Sequence, residues 1–260
     1  MIAHLSSKSP AFRGLCGHPF LMTMVGGRAA CPQPDMDFWA LEPQPEEQTA
    51  FLCRSGSALF ITGRDSTATT LRELAAFAQA VGFCCLTTDL PLPLAQSGAA
   101  SVQPMVAMTF AGAGRVQPLP VGLQLRVCDA TRQQLSPVDF ARLQYRWGGL
   151  ATAEEGERYA VALSHELRHG GGTALLLCQN EQPVAAAALS CRWDNHVVLS
   201  AVAVNPAQRG QGLGRAVAAA AAQLAYQQQL TTLLCCRPAL EQLYTMAGFV
   251  LIAPVFQYSK

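Results

Sequence analysis

The sequence predicts an α/β protein with mixed sheets, organised as a smaller N-terminal α/β domain (1–115) and a larger C-terminal one (120–260). Three observations carry this expectation. In both halves, short apolar runs bounded by Gly, Pro, Asn or Ser alternate with longer runs at helical spacing. Two loose, low-charge stretches, Pro91 to Pro104 and Gly112 to Pro120, fall between the halves and put a linker near residue 115. Finally, 260 residues that are half hydrophobic and only 13% charged suffice for a substantial core.

Residues 1–35 have no clear period: Pro10, Gly14, Gly17, Pro19 and Gly26-Gly27 punctuate them, predicting short helical turns and loops. Phe38 to Leu41, Ala50 to Arg54 and Ala58 to Thr62 read as strands. Ser66 to Ala80 reads as a helix with Thr67 or Thr70 as cap, because Leu71, Leu74, Ala75 and Ala78 share a face. Gly82 ends it, and the strand Phe83 to Thr87 follows. Between the loose stretches lies one more apolar strand, Val106 to Phe110. The second half opens with a strand (Leu123 to Cys128) and two helices (Pro137 to Tyr145, Ala153 to Arg168) stopped by Gly170-Gly171-Gly172. Three strands come next, Ala174 to Gln179, Val184 to Arg192 and Val197 to Val204, with hairpin turns at 180–183 and 193–196. A long helix from Gly212, a strand (Thr231 to Cys236), a helix (Pro238 to Met246) and a last strand near Val255 to Tyr258 complete the chain.

Composition narrows the function classes. A net charge of +1 gives no electrostatic case for nucleic acid or an acidic membrane surface. The ten cysteines occur singly in apolar runs or as adjacent pairs, without a C-x-x-C, and read as free thiols in a reducing compartment. Lys8, Pro10 and Arg13 interrupt the N-terminus as a secretory signal, and no stretch approaches the ~18 apolar residues of a membrane span. The expectation is a soluble, cytoplasmic protein with no membrane partner.

The chemistry concentrates after the strand Leu199 to Val204. Asn205-Pro206 makes a turn, then Arg209-Gly210-Gln211-Gly212-Leu213-Gly214 runs into an alanine-rich helix, with Arg215 close behind. Glycines let backbone N–H groups crowd together, and a helix start adds unpaired N–H groups and roughly +0.5 charge. Such a loop is a socket for a phosphate or pyrophosphate. The three glycines do not make G-x-G-x-x-G, and no lysine completes a P-loop. Together with Leu243-Tyr244-Thr245-Met246-Ala247-Gly248-Phe249 and the order of elements, the region from about Leu123 onward resembles the GCN5-related N-acetyltransferase (GNAT) superfamily. The N-terminal half looks like an extra α/β domain carried by some bacterial members.

That resemblance implies an acetyl-CoA-dependent N-acetyltransferase acting on a small-molecule or peptide amine by direct attack in a ternary complex, without a metal. It places the coenzyme A pyrophosphate on Arg209, Gly210, Gln211, Gly212, Leu213, Gly214 and Arg215, and the pantetheine arm along the main chain of Val202 and Val204. It makes Tyr244 the general acid. A phenol of pKa ~10 stays protonated at neutral pH yet can protonate a thiolate whose conjugate acid is near ~8.5; the alternative is a tyrosine packed on the sheet. Arg237 stands where many relatives carry asparagine. Many relatives also have a carboxylate on the strand before the loop, where this chain offers only Ser200, so Glu166, His165 and His169 are the candidate bases. At pH 7 a lysine amine of pKa ~10.4 is neutral in roughly one molecule per few thousand, against about one in ten for an α-amino group. A weak base therefore suits a low-pKa amine.

Two rival readings stand beside this one. A domain that holds coenzyme A but has lost its base would be a sensing or interaction module. His165-Glu166-Leu167-Arg168-His169 is also a literal H-E-x-x-H zinc-peptidase motif. Its context is poor: glycines end the helix at once, and Leu175 stands where the extended motif needs a third histidine. Trp147 and Trp193 are candidates either for an acceptor cleft or for the core.

Overall fold

A computed structural model of the chain describes residues 1–41, 50–64, 67–112, 119–133 and 135–260. The linker expected near residue 115 and the helix start at Ser66 lie outside the described residues. Contacts group the chain into two units: Met1–Ala107 with Cys235–Pro238 and Ile252–Lys260, and Met108–Leu234 with Ala239–Leu251.

In the first unit, β1 (Ile2–Leu5), β2 (Met36–Leu41), β3 (Ala50–Ser55) and β4 (Ala58–Gly63) pair antiparallel in sequence order. Helix α1 (Pro19–Ala30) precedes β2 and packs on β3 and β4. Only short helical turns and loops were expected there, because prolines and glycines, Gly26-Gly27 among them, interrupt the period. Pro19 at the first turn and the His18 ring, whose Nδ1 accepts the Phe20 N–H at 3.2 Å, start the helix instead. Full burial of Leu21 and Val25 outweighs the ~1 kcal/mol each helical glycine costs. Helix α2 (Ala68–Val81), capped by Thr67, crosses to β5 (Cys85–Thr88), which runs parallel to β4. A one-turn helix α3 (Leu94–Ser97) leads to β6 (Ser101–Phe110). Its first four residues are exposed and include Pro104, which hides the strand's true start from the apolar pattern.

The second half of the chain repeats this order. Strand β7 (Leu123–Cys128) is followed by α4 (Pro137–Arg146) and α5 (Ala153–His165), each capped by a hydroxyl, Ser136 or Thr152. Strands β8 (Thr173–Gln179), β9 (Gln182–Trp193) and β10 (His196–Val204) continue the antiparallel ladder. Helix α6 (Leu213–Gln227) then crosses to β11 (Thr231–Cys236), parallel to β10. A short helix α7 (Glu241–Met246) precedes β12 (Phe249–Ser259). Helices α4 and α5 bury Phe140, Trp147, Leu163 and Leu167 against Ala174, Ala186 and Ala203, whose small side chains keep that sheet face flat. The motif expected to close a long helix to Arg168 instead straddles a change of winding: α5 ends at His165, and Glu166–Gly170 form a π-turn capped by left-handed Gly171.

Candidate active site

Strand β10 is apolar, yet it is not a plain strand. Between Ser200 and Ala203 it advances three residues while β9 advances two, from Ala188 to Ala186. The extra residue makes a β-bulge, and Ala201 takes φ +51° there. Parallel pairing with β11 joins His196–Val198 to Thr231–Leu233. Beyond it, Val202, Ala203 and Val204 line a cleft of about 850 Å³.

The loop after β10 forms the adjoining wall. Asn205 Oδ1 accepts the Ala207 N–H at 3.1 Å and starts the turn Pro206–Gln208. Gly210 and Gly212 then adopt φ +80° and +76°, the left-handed conformations that favour glycine. Gly212 begins α6 without a side-chain cap. Among the described residues, the amides from Gly210 to Gly214 find no backbone acceptor outside the helix. The first turn of α6 thus keeps its N–H donors and the positive end of a 15-residue helix for whatever enters the cleft. Arg215 folds back over the loop; its Nη2 lies 3.7 Å from the position a Cβ on Gly212 would take. Arg209 reaches the other way, its Nη2 donating to the Trp147 carbonyl at 2.7 Å, at the C-terminal end of α4.

All nine residues predicted to hold the coenzyme line this one cleft: Val202, Val204 and the run Arg209 to Arg215. Tyr244 on α7 lines it too, buried, with its ring edge-on to Phe249 at 6.0 Å. His165, Glu166 and His169 do not. Glu166 Oε1 accepts the Cys191 N–H at 3.2 Å, and burial together with the Glu166 charge pushes the Tyr159 phenol well above its usual pKa. The His165 and His169 rings lie 5.0 Å apart, and no group of three metal-ligating side chains forms among the described residues. Ser200 and Ser190 share a hydroxyl–hydroxyl bond of 3.0 Å. The described cleft lining contains neither a carboxylate nor an imidazole.

The profile of the acetyltransferase (GNAT) family matches residues 139–249. Residues 139–249 form a GNAT acetyltransferase domain. That span begins in α4 and ends as β12 begins, and so holds the whole cleft. No curated protein matches the sequence. Among solved structures, the chain is similar in fold to a tandem GNAT protein from the clavulanic acid biosynthesis pathway, solved without AcCoA. The TM-score is 0.61 at 12% identity, covering 100% of this chain and 98% of that one. A GNAT-family acetyltransferase from Colwellia psychrerythraea gives 0.59 at 14% identity, covering 100% and 99%. A GCN5-related N-acetyltransferase from Kribbella flavida gives 0.57 at 16%, covering 97% and 96%. The GNAT fold likeness therefore spans the N-terminal unit as well as the matched domain.

Sequence reasoning missed what the end of α4 does for this GNAT domain. Gln144 is buried and its Nε2 donates to the Ala201 carbonyl at 2.7 Å, while Trp147, Gly148 and Gly149 join the cleft wall. A signal existed: Gln144 falls four residues after Phe140 and three before Trp147, a polar side chain on an apolar stripe. Trp147 is buried in the core and also lines this cleft.

Proposed function

We propose that the protein is an acetyl-CoA-dependent N-acetyltransferase whose acceptor is a small-molecule or peptide amine. The observation that carries this reading is the convergence, in one cleft, of an uncapped glycine-rich helix N-terminus, the stretch of β10 beyond its pairing with β11, and Tyr244. The amides from Gly210 to Gly214 suit a pyrophosphate, with Arg215 adding charge. Main-chain groups of Val202 and Val204 would bind the pantetheine arm, and their N–H donors would polarise the thioester carbonyl. Tyr244 would protonate the sulfur as the amine displaces it. We place one coenzyme on each chain, because the equivalent crossover helix of the first unit, α2, is capped from within: Thr67 Oγ1 accepts the Thr70 N–H at 3.2 Å.

With no carboxylate or imidazole in the described lining, the acceptor must arrive largely neutral, which favours an amine of low pKa. The same observation keeps open the reading as a coenzyme-binding module without turnover. Calorimetry with coenzyme A, followed by a panel of amines scored for release of the free thiol, separates the two. Binding of one equivalent with turnover of at least one amine supports the transferase. Binding without turnover across the panel supports the module, and absence of binding removes both.

A further inference from the structure

We propose that Gln144 is a positioning residue that holds the β10 bulge in its open form; this rests on the transferase reading above. Ala201 occupies the left-handed region at φ +51°, which a residue with a Cβ adopts only under strain. Something must hold it there. Helix α4 supplies an oriented polar group against that peptide: Gln144 Nε2 donates to the Ala201 carbonyl at 2.7 Å. Because a carbonyl can only accept, this bond also fixes which way the Gln144 amide faces. The Gln144 side chain is 2% exposed, so water cannot readily take its place.

The consequence follows from peptide geometry. In a trans peptide the N–H points opposite to the C=O. Fixing the Ala201 carbonyl therefore fixes the direction of the Val202 N–H, one of the donors assigned to the thioester. The same turn of α4 grips the far end of the segment, where the Trp147 carbonyl accepts from Arg209. Residues 201 to 209 are thus tied to one helix end at both limits, and Gln144 holds the limit nearer the chemistry. Gly149 supplies an independent handle. A Cβ there would lie 2.6 Å from Gln144 Oε1, so an added methyl must push the Gln144 amide aside.

The test uses the full chain with Gln144→Leu and Gly149→Ala, each alone and combined with Ala201→Gly, measuring kcat, KM for acetyl-CoA, coenzyme A affinity and Tm. Gln144→Leu should lower kcat by about tenfold, a fraction of what losing an oxyanion donor outright costs, while KM changes less than threefold. Gly149→Ala should follow the same pattern. Ala201→Gly should restore about fivefold of kcat in either background, since glycine takes the left-handed conformation without that strain. A purely structural glutamine would lower Tm without this kcat split or rescue. Wild-type turnover with Gln144→Leu unchanged within twofold overturns the role of Gln144 alone, as does a loss that Ala201→Gly leaves unrepaired. A wild-type protein that neither binds coenzyme A nor turns over an amine overturns the transferase reading itself.

Discussion

Tyr244 lines the cleft from α7, while the amides proposed to hold the phosphate run from Gly210 into the first turn of α6. Tyr244→Phe keeps the ring packed on Phe249 and removes the phenol hydroxyl. Its kcat should fall by ~10²-fold, the usual worth of a general acid, with coenzyme A affinity unchanged within twofold by calorimetry. Equal losses in both would reassign Tyr244 to binding. A second residue fixes a pH dependence. The Asp129 carboxylate is raised by burial but more than compensated by hydrogen bonds from Arg132 and Thr131, which hold its pKa at about 2. A depressed folded value means stability fully present above the ordinary pKa of 3.8 and lost as pH falls toward 2. Asp129→Asn should therefore destabilise the protein by about 1 kcal/mol at pH 7, after discounting for solvent screening, and the gap should close below about pH 2 in a pH series of denaturant midpoints.

At the scale of elements, the start of α6 combines conformational and chemical demands at Gly212. Gly212→Ala must adopt φ +76° and should cost ~1 kcal/mol in stability, read as a lower Tm. If the loop opens to avoid that strain, coenzyme A binding should weaken by at least tenfold. This loop was legible in the sequence because its glycine spacing is local, and so was Tyr244, seven residues of motif around one helix end. The bulge was not. Nothing in Leu199-Ser200-Ala201-Val202 marks a residue that will turn left-handed, since the partner that holds it, Gln144, is 57 positions away. Helix α1 was hidden for a similar reason: its glycines weaken local propensity, and only packing on β3 and β4 makes it a helix. The H-E-x-x-H pattern shows the opposite failure. The spacing was legible, but a π-turn and the Cys191 N–H claim Glu166 for structure.

At the scale of the whole molecule, both units run the same sequence of pairings: three antiparallel steps and then a parallel one across a crossover helix. Only the second presents an uncapped, glycine-rich crossover start among the described residues, which is why a candidate site was readable in one half alone. The first unit is completed by distant sequence. Phe256, Gln257, Tyr258 and Ser259 pair antiparallel with Thr88 back to Cys85, and Tyr258 is buried in that unit's core with its hydroxyl donating to the Leu92 carbonyl at 2.8 Å. Tyr258→Ala should destabilise the first unit by ~3 kcal/mol, visible as faster proteolysis within residues 1–107 than in wild type. The arrangement also sets a clock on biogenesis. A ribosome adding ~5–20 residues per second needs roughly 8 to 34 s to travel from Thr88 to the strand that seals it. During that interval the sheet of the first unit waits with an open flank, so nascent chains of this protein should lean on holdase chaperones until β12 emerges.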